Sequence, residues 1–471
     1  IKSLDKQLNE RESRATKMTN LIATNRNTAI LGLGATGLSV ARFLSSMGKS
    51  FVFADSRTSP PRLAEVRETY PDVPVVLGPF DADLLLSFDS VVVSPGIALQ
   101  EPALVAAQQQ KIKLLGDVEL FLAHAKAPVI LITGSNGKST VTKLVGEMAV
   151  ASGLTVGVGG NLGTPMLDLL DDNNQLYVIE LSSFQLELVT DTQGAISAIL
   201  NISADHMDRY AGLQQYHAAK HRIFRGASQV IFNRQDALTN PLLSKEVKLC
   251  NFGLNHPDLA GYGLLEEEGE SWLAYGLNPL MPSAEVAIKG RHNTANALAA
   301  LALGQAAGLD MAAMLQTLRT FKGLSHRCEH VATVDGVTYI DDSKGTNIGA
   351  TVAALNGFGD DDRANIILIA GGQGKGQNFN ELKAPVSKFV KLLALFGEDA
   401  QLIAGTLSEA LANRTQIETL SSLQSAVDTA RAAAQPGDIV LLSPACASFD
   451  MFSGFEERGR CFQQAVTEVA A

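Results

Sequence analysis

The residues best suited to chemistry form one short run, Thr133-Gly134-Ser135-Asn136-Gly137-Lys138-Ser139-Thr140. Glycines let backbone N–H groups turn toward an anion, the lysine adds charge, and the hydroxyl after it can reach Mg²⁺. A full P-loop spacing would put a further glycine at position 132, where this chain has Ile132. The same residues also suit a plain glycine turn between a buried strand and a capped helix. Phosphate binding is the stronger expectation, because lysine and hydroxyls follow the glycine in the functional order.

A second run, Gly32-Leu33-Gly34-Ala35-Thr36-Gly37, has the G-x-G-x-x-G spacing of a dinucleotide loop. Asp55 follows near the distance at which an acid holds a ribose. Taken alone, this run suits an NAD-dependent oxidoreductase or a glycine turn that packs a helix on a strand. Glu180 closes an apolar run, as an acid that holds Mg²⁺ beside a nucleotide would. His206 sits among Asp205, Asp208 and Arg209, and such a histidine is a metal ligand, a general base or, more often, a hydrogen-bonded loop residue. Lys220 by itself reads as a solvated lysine. Asp342-Ser343-Lys344 and Gly374-Lys375, grouped with Arg327, put cations where phosphates or carboxylates could be met. Phe449, Phe452, Phe455 and Met451 read as core, and Cys446 lacks the basic setting of a reactive thiol.

The elements that must position these groups are legible as apolar runs that stop at them. Residues 28–31, 51–53, 90–93, 129–132, 155–158, 177–179, 198–200 and 229–232 read as strands, as do 337–340, 366–370, 392–396 and 439–442. Helical patterns alternate with them, so mostly parallel, doubly wound α/β sheets are expected, with ligands at the strands' carboxyl ends. Residues 258–289 read as a small antiparallel annex, followed by a helix over 294–307, and Lys220 falls on a helix over 214–224. The domains expected are 21–116, 117–322 and 323–471. Residues 1–20 are polar, begin without a methionine and read as a tail outside the fold, with Met18 a candidate start.

A chain of 471 residues is long enough for about three domains. Its net charge of −11 argues against nucleic acid as a partner. No apolar run approaches the roughly 20 residues of a membrane span. The cysteines show no C-x-x-C spacing, so neither a zinc site nor a disulfide framework is indicated, and the cytoplasm is the default compartment.

Taken together and in order, these motifs resemble the Mur ligase family of bacterial cell-wall synthesis. Within it they resemble the branch that adds D-glutamate to UDP-N-acetylmuramoyl-L-alanine. The likeness also rests on Glu180-Leu181-Ser182-Ser183-Phe184-Gln185, Gly290-Arg291-His292-Asn293, Asp342-Ser343-Lys344-Gly345-Thr346-Asn347 and Ser443-Pro444-Ala445-Cys446-Ala447-Ser448. It implies a Rossmann-like N-terminal domain that binds UDP, a P-loop ATPase-like central domain and a Rossmann-like C-terminal domain. The first glycine loop would then hold UDP through Ala35, Thr36, Asp55, Ser56, Arg57, Ser94 and Gly96, with Asn161, Gln185 and His206 near the muramoyl-alanine end. ATP would meet Gly134, Ser135, Asn136, Gly137, Lys138, Ser139 and Thr140, and then Asn293, Asn296, Arg327, Asp342 and Lys344. Thr346, Lys375, Ser448 and Phe455 would take D-glutamate. Ser139 and Glu180 would hold one Mg²⁺, and His206 with a carbamylated Lys220 a second. Lys138, His206, Lys220 and Lys344 would carry the catalysis, in a monomer with small-molecule partners only. A folylpolyglutamate-synthase-like ligase shares the last two domains, but the N-terminal glycine loop disfavours it. Where relatives often carry an acid before Lys375, this chain has Gln373.

Overall fold

The computed structural model describes residues 28–470, apart from 162, 243–246, 361 and 412–414. The tail expected over residues 1–20 lies outside the described residues. The chain builds three sheets. In the first, β1 (Thr28–Leu31), β2 (Phe51–Asp55), β3 (Val75–Leu77), β4 (Ser90–Val93) and β5 (Lys113–Leu115) are parallel, in the order β3-β2-β1-β4-β5. The chain reverses its direction across the sheet between β1 and β4, and a crevice opens at such a point. The glycine loop after β1 and the Ser94-Pro95-Gly96 turn after β4 meet there. Gly32 has φ +97°, and a Cβ on it would lie 2.8 Å from the Ser94 hydroxyl, so this approach needs glycine.

The central sheet has nine strands, ordered β14-β13-β12-β11-β10-β9-β6-β8-β7. They are β6 (Val129–Thr133), β7 (Val156–Gly160), β8 (Leu176–Glu180), β9 (Ile196–Ile199), β10 (Gln229–Asn233), β11 (Lys248–Phe252), β12 (Tyr262–Glu267), β13 (Glu270–Tyr275) and β14 (Asn278–Pro282). Strand β6 is buried along its whole length, which is why it reads as an unbroken apolar run. Ile130 and Ile132 join a core with Val141, Leu144, Val145 and Met148 of the Lys138–Ala151 helix, whereas Leu131 faces the opposite cluster. Each such side chain contributes about 1.5–3 kcal/mol by leaving water. The Leu131 cluster also contains Ile30 and Phe53, so the first and central units share one apolar core. The antiparallel strands β12–β14 form the small annex expected from the sequence, and it is continuous with the central sheet. Phe252 pairs in parallel with Tyr262, and the hairpins extend the central sheet.

The third sheet runs β15-β16-β20-β17-β18-β19, with β15 (Glu329–Val334), β16 (Val337–Asp341), β17 (Ile366–Gly371), β18 (Val390–Phe396), β19 (Gln416–Thr419) and β20 (Ile439–Leu442). Strand β20 inserts between β16 and β17, which brings the Asp342 and Ser443 turns side by side: Asp342 N–H donates to Leu442 O at 2.8 Å. Strands β3, β5, β11, β15 and β19 escaped the sequence reading. All five are partly exposed and lack a continuous apolar run, and all but β11 lie at sheet edges. The expectation that Phe449 and Met451 are core fails. Phe449 is 68% exposed and Met451 42%, so neither is core. They lie on the irregular stretch after β20, where no periodic face exists to bury them. Cys446 is buried, and burial pushes its thiol up to about 12, far from a reactive thiolate. Among the described residues, no helix is long and apolar enough to cross a membrane.

Candidate active site

Two cavities lie at the carboxyl ends of these sheets. The first, of about 540 Å³, opens at the β1/β4 crevice and reaches the central unit. Ala35, Thr36, Asp55, Ser56, Arg57, Ser94, Gly96, Asn161 and Gln185 all line it. Asp55 is already committed. Its carboxylate accepts from Leu33 N–H at 2.8 Å and from the Arg57 guanidinium at 2.8 and 2.9 Å. Burial opposes its charge, but these donors prevail and hold its pKa down at about 2. A lowered carboxylate pKa means the stabilisation exists above the ordinary carboxylate range and disappears as pH falls toward 2. Asp55→Asn is therefore expected to cost about 1–2 kcal/mol near neutrality, discounted for the exposed Arg57 side. In thermal melts, the gap from wild type should shrink as pH drops from 5 to 2, and a gap that widened would contradict this account.

The second cavity, of about 480 Å³, lies between the central and third units. Asn136, Gly137, Thr140, Asn293, Asn296, Arg327, Asp342 and Lys344 line it. Gly137 has φ +81°, and a Cβ there would meet the Asn296 amide oxygen at 2.5 Å, so the loop's second glycine is a packing requirement. Gly134, Ser135, Lys138 and Ser139 belong to the same loop but are not among the residues that line the cavity. Lys138 Nζ donates to the Gly134 and Ser135 carbonyls at 2.9 and 3.0 Å, and burial lowers its pKa. Arg327 crosses from the third unit to donate to Ser139 Oγ at 2.6 Å. Asp342, buried against the Ser443 hydroxyl, is pushed up to about 7, with Arg327 opposing the rise. Lys344, desolvated and beside Arg327, falls to about 8, its ammonium 3.7 Å above the Phe455 ring.

Between the cavities stand Glu180, Lys220 and His206. One Glu180 oxygen accepts from Asn161 Nδ2 at 2.8 Å, and the other is buried without a hydrogen-bond partner. Lys220 is 1% exposed and donates to Gly134 O at 2.8 Å and Thr133 Oγ1 at 3.3 Å. Burial and the Lys138 charge drive its pKa well below that of an ordinary lysine, while Asp205 and Glu180 pull the other way. The solvated reading of Lys220 is thus overturned, since the helix Leu213–His221 turns it inward. His206 has φ +57°, a strained conformation in a loop, and burial lowers its pKa.

The residues assigned to D-glutamate line neither cavity as described, but three loops gather them. Ser343 Oγ donates to Phe455 O at 2.8 Å, and Gln373 pairs with Ala447 through both backbone groups. Thr346 and Ser448 follow on those same loops, and the Lys375 charge reaches His206. Gln373 does not leave this loop without an acid, because Asp399 accepts from Gly374 N–H at 2.6 Å. Buried Arg458 ties the set together, donating to Ser343, Cys446 and Ala447 carbonyls; burial lowers it to about 10. Sequence reasoning missed Arg458, Asn347 and Asn201. Asn201 exchanges hydrogen bonds with the Asn136 backbone at 2.8 and 3.0 Å, and Asn347 bridges Asn136 and Asp205 across the units. Only the polar ends of their strands or caps could have pointed to them.

Three family models match this chain in order: the Mur ligase MurD-like N-terminal domain over residues 26–116, the Mur ligase middle domain over 132–304 and the Mur ligase glutamate ligase domain over 326–446. The UDP-N-acetylmuramoylalanine--D-glutamate ligase of Pseudomonas fluorescens is 55% identical over 452 residues, 96% of this chain and 100% of the relative. The chain belongs to the Mur ligase family. The corresponding ligase of Pseudomonas aeruginosa is 52% identical over 451 residues, again 96% of this chain and 100% of the relative. Among solved structures, a pseudomurein peptide ligase type C from Methanothermus fervidus has a TM-score of 0.59 at 17% identity, covering 94% of this chain and 100% of its own. UDP-N-acetylmuramate-alanine ligase from Thermotoga maritima reaches 0.57 at 19% identity, with the same coverage. At that distance the likeness concerns the fold, which this Mur ligase shares along its length.

The donor set of this Mur ligase fits a hard divalent cation. The unpartnered Glu180 oxygen and the Ser139 hydroxyl are oxygen ligands of the kind Mg²⁺ takes.

Proposed function

We propose that this Mur ligase joins D-glutamate to UDP-N-acetylmuramoyl-L-alanine at the expense of ATP, in peptidoglycan precursor synthesis. The observation that carries the reading is the convergence of two cavities on Glu180. Asn161 lines the first cavity and donates to Glu180, and Lys138, on the loop whose Asn136 and Gly137 line the second, feels the same carboxylate. A UDP-linked carboxylate and a nucleotide γ-phosphate entering from opposite sides would meet there. Like-charged reactants repel, so the protein's work is to hold them together and neutralise them.

The L-alanine carboxylate attacks the γ-phosphorus and ADP leaves, giving an acyl phosphate. The amine of D-glutamate attacks that carbonyl, loses a proton, and phosphate departs as the amide forms. Lys138 and Arg327 place positive charge along the phosphate chain, and the Phe455-backed Lys344 faces the transferring group from the third unit. Asn161 and Gln185 orient the muramoyl end, while Thr346, Lys375 and Ser448 with Phe455 receive D-glutamate. When bound, Mg²⁺ would screen the phosphate oxygens, held at one site by Ser139 and Glu180 and at a second by His206 and carbamylated Lys220. Burial lowers the pKa of His206 and so favours the neutral imidazole, the form in which it could ligate a metal. The reading places the enzyme in the cytoplasm, with its ATP and UDP-sugar substrates.

Phosphate release tests this directly. It should require ATP, UDP-N-acetylmuramoyl-L-alanine and D-glutamate together, with one phosphate per amide formed. Full release with D-glutamate omitted, or equal turnover with another amino acid, would sink the assignment.

A further inference from the structure

Gln185 is a neutral amide, and an amide recognises different groups depending on which end faces the ligand. Its oxygen here is doubly occupied by Ser182, which donates from its backbone N–H at 3.1 Å and its hydroxyl at 3.2 Å. Ser182 is the N-cap of the short Ser183–Leu186 helix, and Gln185 completes its capping box. At the other end, Gln185 Nε2 donates to Asp117 Oδ2 at 3.0 Å. Asp117 is 4% exposed, opens the helix Asp117–Leu122 and lines the same cavity as Gln185. Its second oxygen accepts from Val118 N–H at 3.1 Å. Both Asp117 oxygens therefore face donors, and no reversed Gln185 amide could satisfy this arrangement. One Nε2 hydrogen is consumed by Asp117, and among the described residues the other has no hydrogen-bond acceptor.

We infer that Asp117 is a positioning residue for substrate recognition: it locks the Gln185 amide so that an N–H donor, never a carbonyl, faces the UDP-linked substrate. The site would thereby select an acceptor oxygen, such as a carbonyl or carboxylate of the muramoyl-alanine arm. The inference rests on the reading above that this cavity takes the UDP-linked substrate. It also gives a reason for an acid buried at the junction of the first and central units without a cationic partner in its hydrogen-bond set.

The test uses Asp117→Asn, Gln185→Glu and the double variant in the full chain, with KM for UDP-N-acetylmuramoyl-L-alanine, KM for ATP and melting temperature measured for each. Asparagine has one acceptor where two are needed, so Asp117→Asn should raise the UDP-substrate KM at least tenfold, leave the ATP KM within twofold and lower the melting temperature. In the double variant, the new amide at position 117 can donate to the new carboxylate at position 185 and accept from Val118 N–H. The pair is thus rebuilt with its polarity reversed, and the melting temperature should recover. The KM should stay high, because the carboxylate at position 185 has no hydrogen to offer. Recovery of KM along with stability would reduce Asp117 to a packing role and overturn the inference. A normal KM in Asp117→Asn or in Gln185→Glu would overturn it too. Should Asp117→Asn fail to fold, the double variant carries the same comparison. Wild-type turnover judges the underlying reading separately, since a wild-type chain inactive on this substrate would remove that reading before any variant is compared.

Discussion

Replacing Lys138 with alanine is expected to lower ligation by at least about 10²–10³-fold, the scale for removing one preorganised charge stabiliser. Binding of UDP-N-acetylmuramoyl-L-alanine should stay within about twofold of wild type. Lys138 is half-buried on the loop whose Asn136 and Gly137 line the nucleotide-side cavity, and it lines no part of the β1/β4 crevice. Its ammonium is clamped by the Gly134 and Ser135 carbonyls, so it is preorganised and loses little entropy on meeting phosphate. Two measurements separate the cavities: phosphate release for the chemistry, and calorimetric titration with the UDP substrate for the first site. A melting curve guards against a loop that collapses once its carbonyls lose their donor. Loss of ligation and of UDP-substrate binding in a folded variant would mean that the first cavity is misassigned.

The second large effect concerns Lys220. Protein equilibrated with ¹³C-bicarbonate is expected to show a carbamate carbon resonance that Lys220→Ala removes, and that variant should lose at least about 10²-fold in activity. Carbamylation needs the neutral amine, and Lys220 is pushed toward it by burial and by the neighbouring Lys138 charge. That same charge favours the anion once it forms, so Lys138→Ala should also weaken the resonance. The sign with pH follows. Because burial and the Lys138 charge lower the folded pKa of Lys220, its free amine persists to lower pH than that of an ordinary lysine, and acidification protonates it. Resonance and activity should fall together as pH is lowered, and return on neutralisation in bicarbonate. Protein stripped of CO₂ that shows no resonance yet turns over at the full rate would remove the carbamate from the account.

Strands buried on both faces, such as β6 and β8, announced themselves as apolar runs, and the polar residue ending each run was a site candidate for that reason. Edge strands β3 and β19 were illegible because half-exposed positions carry no periodic signal. Phe449 and Met451 misled, because apolar type alone does not say which side of an irregular loop a residue takes. Lys220 shows the same gap from the other side. Its type and helical position read as solvated, and only the seating of its helix against β6 buries the amine beside Thr133 and Gly134.

What residue order alone determined was the set of parts. The Gly134–Thr140 loop follows a buried strand, a second glycine loop precedes it, and acids and lysines stand at strand ends, because local backbone chemistry and apolar periodicity act over a few residues. What the tertiary structure decided was which parts meet. The insertion of β20 between β16 and β17 sets Ser443 beside Asp342, and the docking of the third unit carries Arg327 onto Ser139. The shared core of the first two units brings Asp117 to Gln185. These contacts span 68 to 188 residues of chain, and no pattern within a few turns or strands encodes them. They arise only when separate apolar faces find common cores and bring the polar strand ends together with them.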